Sequence, residues 1–84
     1  MKRNIKIELN EINHVVVDQI CKLFDVLPAN NLTINNIKDW DSINHINLMV
    51  MIEDVFELDL DYNEFKNCDN NMKISKLVLE SINE

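Results

Sequence analysis

The stretch DWDSINHINLMVMIEDVFELDLDYNEF, residues 39–65, decides how this chain folds. Between residues 42 and 57 its apolar positions recur with helical spacing. Ile43, Ile46, Met49, Val50, Ile52 and Phe56 cover one stripe, and Leu48, Met51 and Val55 widen it. Asp41 or Ser42 can cap this helix, because either places an oxygen at its orphan N–H groups. A small domain cannot bury so wide a stripe all round. Part of the helix is therefore expected to expose apolar surface, which usually marks a partner site. Leu58 and Leu60 then alternate with Asp59 and Asp61 in a short linker, 58–61. Residues 62–67 make a short helical turn that buries Phe65.

The same stretch holds the charge. Residues 39–65 contain eight acids (Asp39, Asp41, Glu53, Asp54, Glu57, Asp59, Asp61 and Glu64) and no base. Before it, five bases meet four acids, and after it three meet three, so the segment carries the whole excess behind the net charge of −7. Such a run is either a solvated helix face or a patch that steers cationic partners. An acidic chain repels a phosphate backbone, which argues against nucleic-acid binding.

Working outward, residues 10–25 form the first helix. Ile12, Val16, Ile20, Leu23, Phe24 and Leu27 mark its buried face, with Asn10 as N-cap supported by Asn13. Pro28 stops it. Residues 28–41 make a long connection whose Leu32, Ile34 and Ile37 pack on the core. A last helix, about 72–83, turns Ile74, Leu77, Val78 and Ile82 inward. Glycine is absent and there is one proline, which disfavours an all-β fold. The 14 asparagines are expected to take the left-handed turn positions instead. The expected fold is all-α: a small four-helix bundle of three main helices and one short helix, with a long loop between the first and second.

With 84 residues the chain is one domain, 9–84, after a mildly basic and flexible tail, 1–8. A multi-domain enzyme, a catalytic barrel and a doubly wound sheet all need more chain. No apolar run near the N-terminus is long enough for a signal peptide or membrane span. A cytoplasmic location with reduced Cys21 and Cys68 is expected, and no Cys/His spacing suggests zinc.

Three lookalikes fail on their chemistry. Asp59, Asp61 and Asn63 copy the start of an EF-hand loop, but Glu64 stands at the turn glycine and Asn70 at the bidentate glutamate. Asp41, Ser42 and His45 lack the strained glycine elbow and oxyanion hole of a hydrolase, and His45 is expected on the surface. His14, Asp18 and Cys21 share a helix face without a fourth metal ligand. His14 is expected at the surface and Cys21 semi-buried.

What remains is Trp40-Asp41-Ser42-Ile43. A serine hydroxyl on the exposed end of a helix suits covalent attachment, and the N-terminal N–H groups favour an anionic phosphodiester beside it. The bland alternative is an N-cap serine. Trp40 either packs on the loop or shields the base of an attached arm.

Across residues 12–82 the chain resembles the acyl carrier protein family. The family's Asp-Ser-Leu signature appears as Asp41-Ser42-Ile43. Its acidic pair and aromatic late in the second helix appear as Glu53-Asp54 and Phe56. Its alternating segment before the short helix appears as Leu58 to Leu60. Asp39 stands where many members have glycine, and Ile43 where leucine is commoner. The resemblance implies that Ser42 carries 4′-phosphopantetheine, derived from coenzyme A, whose thiol holds an acyl or aminoacyl cargo as a thioester. It implies that Asp41 assists the phosphopantetheinyl transferase at its magnesium ion or basic groups. It implies that Ile43, Ile46 and Val50, with Glu53, Asp54 and Glu57, meet the basic patches of partner ligases, synthases and transferases. The chain would then be a monomeric shuttle rather than an enzyme, in lipid, polyketide, peptide or other specialised biosynthesis. A void among Leu48, Met51, Ile52 and Leu77 would mark a carrier of long acyl chains. The alternatives are an aminoacyl or peptidyl carrier protein loaded by a stand-alone ligase and an unmodified helical interaction module, and a buried Ser42 would point to the last.

Overall fold

The computed structural model describes residues 8–83, and over these the chain is all-α, with four helices in order. They are α1 (Leu9–Phe24), α2 (Ser42–Phe56), α3 (Tyr62–Phe65) and α4 (Asn71–Ile82). Three main helices, a short one and a long loop after the first match the expected bundle. Among the described residues there is no strand, only an isolated bridge between Thr33 and Asn70.

Helix α1 starts one residue earlier than its sequence pattern suggests, and its cap is Glu8 rather than Asn10. Glu11 lies three residues on, and its Oε1 accepts the Glu8 N–H at 3.1 Å. That return bond satisfies a donor that would otherwise be lost at the helix start. Asn13, the partner expected for Asn10, turns inward instead and accepts from Asn71. Glu8 thus belongs to the helix start, while residues 1–7 of the expected tail lie outside the described residues.

The left-handed positions are not asparagines. Among the described residues the positive φ angles belong to Asp25 (56°) and Glu57 (55°), the C-caps of α1 and α2. In a chain without glycine each costs about 1 kcal/mol of backbone strain. The asparagines serve as caps and loop ties, where an amide that both donates and accepts is worth more than turn tolerance. The turn at Asp25 also corrects the expectation for Leu27. It takes the chain out of helical register after Phe24, so Leu27 leaves the buried face and is 85% exposed.

The core is built from one stripe of each long helix. Ile12, Val16 and Ile20 of α1 meet Ile74, Leu77 and Val78 of α4, with Leu48 and Ile52 of α2 and Phe65 of α3 closing the interior. Each fully buried side chain of this size contributes roughly 1.5–3 kcal/mol from apolar area. The long loop adds Leu32, Ile37 and Trp40 to the same core, whereas Ile34 stays at the surface.

Asn71 ties that loop to α4. Its Oδ1 accepts the Leu32 N–H at 2.9 Å, its Nδ2 donates to Asn13 Oδ1 at 2.7 Å, and its own N–H donates to Leu32 O at 3.1 Å. Ile34 N–H donates to Asp69 O at 3.0 Å, beside the bridge. Asn71 is 1% exposed, so these bonds replace the water it gave up on folding. A loop held this firmly delivers Trp40 and Asp41 to one place at the head of α2.

Candidate functional site

Helix α2 begins at Ser42, and Asp41 is its cap. Asp41 Oδ1 accepts the Asn44 N–H at 2.9 Å, and Asp41 O accepts the His45 N–H at 2.8 Å. Of the two capping candidates in the sequence, the aspartate does the work. Ser42 is exposed, and no hydrogen bond among the described residues engages its hydroxyl. The bland role for this serine is already filled by its neighbour.

The head of α2 is fixed from beneath by a run of rings. Phe24 at the end of α1 lies 5.4 Å from Trp40, Trp40 lies 5.9 Å from His45, and His45 lies 4.5 Å from Phe65 of α3, centroid to centroid. Trp40 Nε1–H donates to His45 Nδ1 at 2.8 Å. An accepting Nδ1 leaves the proton of the neutral ring on Nε2, which donates to Phe65 O at 2.8 Å. His45 is therefore not the surface residue its sequence position suggests. It is 6% exposed, because the helix turn that follows Asp41 points it at Phe65. With both ring nitrogens committed to the fold, it has none left to act as a base toward Ser42.

Beside Ser42 opens a surface cleft of about 360 Å³, lined by Ile34, Trp40, Asp41, Ser42, His45, Tyr62, Lys66 and Asn67. Trp40 packs into the core at 3% exposure and also forms a wall of this cleft. The chemistry of the lining suits a group held through a phosphodiester. It offers an open hydroxyl, a lysine, apolar walls, and the phenol and amide of Tyr62 and Asn67 as hydrogen-bonding groups.

Along the outer face of α2, Ile43, Ile46 and Val50 are exposed, at 73%, 42% and 54%. The expected excess of apolar surface is there, and it lies on the side away from Leu48 and Ile52. At the far end of the helix a second, shallow cleft of about 390 Å³ is lined by Val50, Glu53, Asp54, Glu57, Leu58 and Asp59. Asp54 and Glu57 are exposed. Glu53 is half-buried, and its Oε2 accepts the Leu60 N–H at 2.8 Å, which fixes the linker into α3. The residues singled out from the sequence thus lie on one helix, with Ser42 at its head and the acids toward its end. The sequence missed the Trp40–His45–Phe65 network and Lys66. An aromatic, a histidine five residues on and a second aromatic twenty residues further give no periodic signal.

Other candidates stay structural. The clefts at Ser42, at the acidic end of α2 and beside Asn13 are all open to solvent, and none is lined by Leu48, Met51, Ile52 or Leu77. Cys21 and Cys68 are free thiols. Burial pushes both above the ordinary thiol value, with Asp18 adding to the effect at Cys21; at Cys68 Lys73 opposes it, and Asp69, Glu64 and Glu80 reinforce it. Thiols held protonated are poor nucleophiles. Among the described residues no His/Cys/Asp/Glu group could hold a metal ion, and no helix is long and apolar enough to cross a membrane.

Fold and site together define a small all-helical domain with an open serine at the head of a helix whose outer face is apolar and acidic. Comparison with protein-family models, with curated proteins and with solved structures finds no match to this chain.

Proposed function

We propose that this chain is a stand-alone acyl carrier protein, with 4′-phosphopantetheine attached to Ser42 through a phosphodiester. The observation that carries the reading is the division of labour between Asp41 and Ser42. Asp41 caps α2, so the neighbouring hydroxyl is exposed and has no bond within the described fold. Once bound, the group supplies a thiol that holds an acyl or aminoacyl cargo as a thioester.

The chain's own residues supply the rest. Ser42 Oγ is the attachment atom. Asp41 stands beside it, exposed, where a transferase can meet it through magnesium or basic groups. Ile43, Ile46 and Val50 offer apolar contact to ligases, synthases or transferases. Asp54 and Glu57, with the free side of Glu53, steer basic partner patches toward it. Docking of this kind is weak and reversible, as a shuttle needs, while the tether keeps the cargo at high effective concentration. On this reading the protein is not an enzyme, and it works in the cytoplasm as a monomer.

The test is intact mass after incubation with coenzyme A, magnesium and a broad-specificity phosphopantetheinyl transferase. The expected result is one phosphopantetheine on the wild type and none on Ser42→Ala, with equal helical circular dichroism. No gain with several transferases, from a folded protein, would overturn the carrier reading in favour of an unmodified helical interaction module. A gained mass then allows candidate fatty-acyl and aminoacyl ligases to be compared on the same sample.

A further inference from the structure

The cleft beside Ser42 has one cationic side chain in its lining, Lys66 at the C-terminal end of α3. Its placement is informative because carboxylates surround it in sequence. Asp61 and Glu64 lie within five residues, yet the ion pairs among the described residues are Lys22–Asp18 and Lys73–Asp69. Lys66 lines the Ser42 cleft and enters neither pair. Residues 39–65 contain no base, so a negative group on Ser42 would stand next to Asp39 and Asp41; the bases flanking that segment are Lys38, which does not line the cleft, and Lys66, which does.

We propose that the cleft is a resting site for the group carried on Ser42, in which Lys66 pairs with the phosphodiester and the rest of the group lies against Ile34 and Tyr62. The inference rests on the carrier reading and adds Lys66 as a positioning residue. The lysine offsets the repulsion from Asp39 and Asp41. Ile34 and Tyr62, exposed at 38% and 42%, supply apolar contact, and the phenol of Tyr62 and amide of Asn67 are available to the amides and the hydroxyl of the group. A single exposed ion pair is weak and screened by salt. The resting state is therefore shallow, and a partner enzyme can draw the group out without breaking the fold. Lys66 biases where the group waits, away from the acidic end of α2 where partners are steered.

The experiment compares ¹H–¹⁵N spectra of the protein before and after phosphopantetheine is attached, with attachment verified by intact mass. The expected result is a set of shifts at Ile34, Tyr62, Lys66 and Asn67 that diminishes at high salt. It is lost in Lys66→Ala and retained in Lys66→Arg, while both variants load to the same mass. Lys66 is exposed, so neither change should disturb the fold, and unchanged amide dispersion before loading verifies this. Shifts confined to Asp41, Ser42 and Ile43 in a fully loaded sample would overturn the resting site and leave the carrier reading intact. Equal shifts in wild type and Lys66→Ala would overturn the role of the lysine. Absence of any mass gain would overturn the carrier reading, and the resting site with it.

Discussion

The two faces of α2 both carry large aliphatic side chains, and these have opposite fates. The inner face places Leu48 and Ile52 in the core with no exposure, beside a buried His45. The outer face leaves Ile43, Ile46 and Val50 in water. Isoleucine occurs on both, so hydrophobicity alone does not say which side is packed. The difference teaches that burial here is decided by what the other elements bring. Among the described residues, α1, α4, α3 and the pinned loop cover one side of α2, and none of them covers the other. A strictly amphipathic helix would carry polar residues on that outer side. The apolar residues there cost solubility, which is the physical argument behind the docking surface proposed for this face.

The comparison breaks most visibly at Ile52 and Ile46. Ile52→Ala is expected to destabilise the fold by about 3–4 kcal/mol, from lost apolar burial and an unfilled cavity. Ile46→Ala should stay within about 0.5 kcal/mol, as for an exposed site. Urea denaturation of the two variants reads the contrast, and equal midpoints would show that the outer face is packed after all. His45→Leu comes next, at about 2–3 kcal/mol. It leaves the Trp40 indole N–H and the Phe65 carbonyl without partners in a buried place. A red shift of the single tryptophan's emission should accompany the loss.

Smaller effects sharpen the contrast at the acidic end. Glu53→Ala should cost about 1 kcal/mol through the lost bond to Leu60 N–H, whereas Asp54→Ala should leave stability nearly unchanged. If both changes weaken docking to a partner alike but only the first lowers the denaturation midpoint, Glu53 serves fold and surface together. Glu57→Gly should raise stability by roughly 0.5–1 kcal/mol, since glycine takes a positive φ without strain. A more stable variant that docks less well would show that an acid is kept at this C-cap for its charge.

Much of the fold could be read along the chain, and the reasons are local. Periodicity located the three main helices to within a residue, because Ile12, Val16 and Ile20, or Ile74, Leu77 and Val78, repeat with the helical turn. Asp41 was visible as one of two caps, and the acidic run as a charge patch. His45 was misplaced because a histidine among polar neighbours looks solvated until Trp40 and Phe65, five and twenty residues away, are brought to its ring. Leu27 was misplaced because the left-handed turn at Asp25 breaks a periodicity the sequence seems to continue. Asn71 looked like a turn residue and proved to be the tie between the long loop and α4.

The sequence by itself determined that the chain is helical, that one segment holds its negative charge, and that a serine opens the second helix. These follow from spacing and composition, which act over a few residues. The tertiary structure decided that Asp41 rather than Ser42 carries the cap, that one face of α2 is sealed while the other is open, and that Lys66, at the end of α3, lines the same cleft as the serine. Each of these depends on groups distant in sequence meeting in space, through packing and hydrogen bonds that no local pattern records.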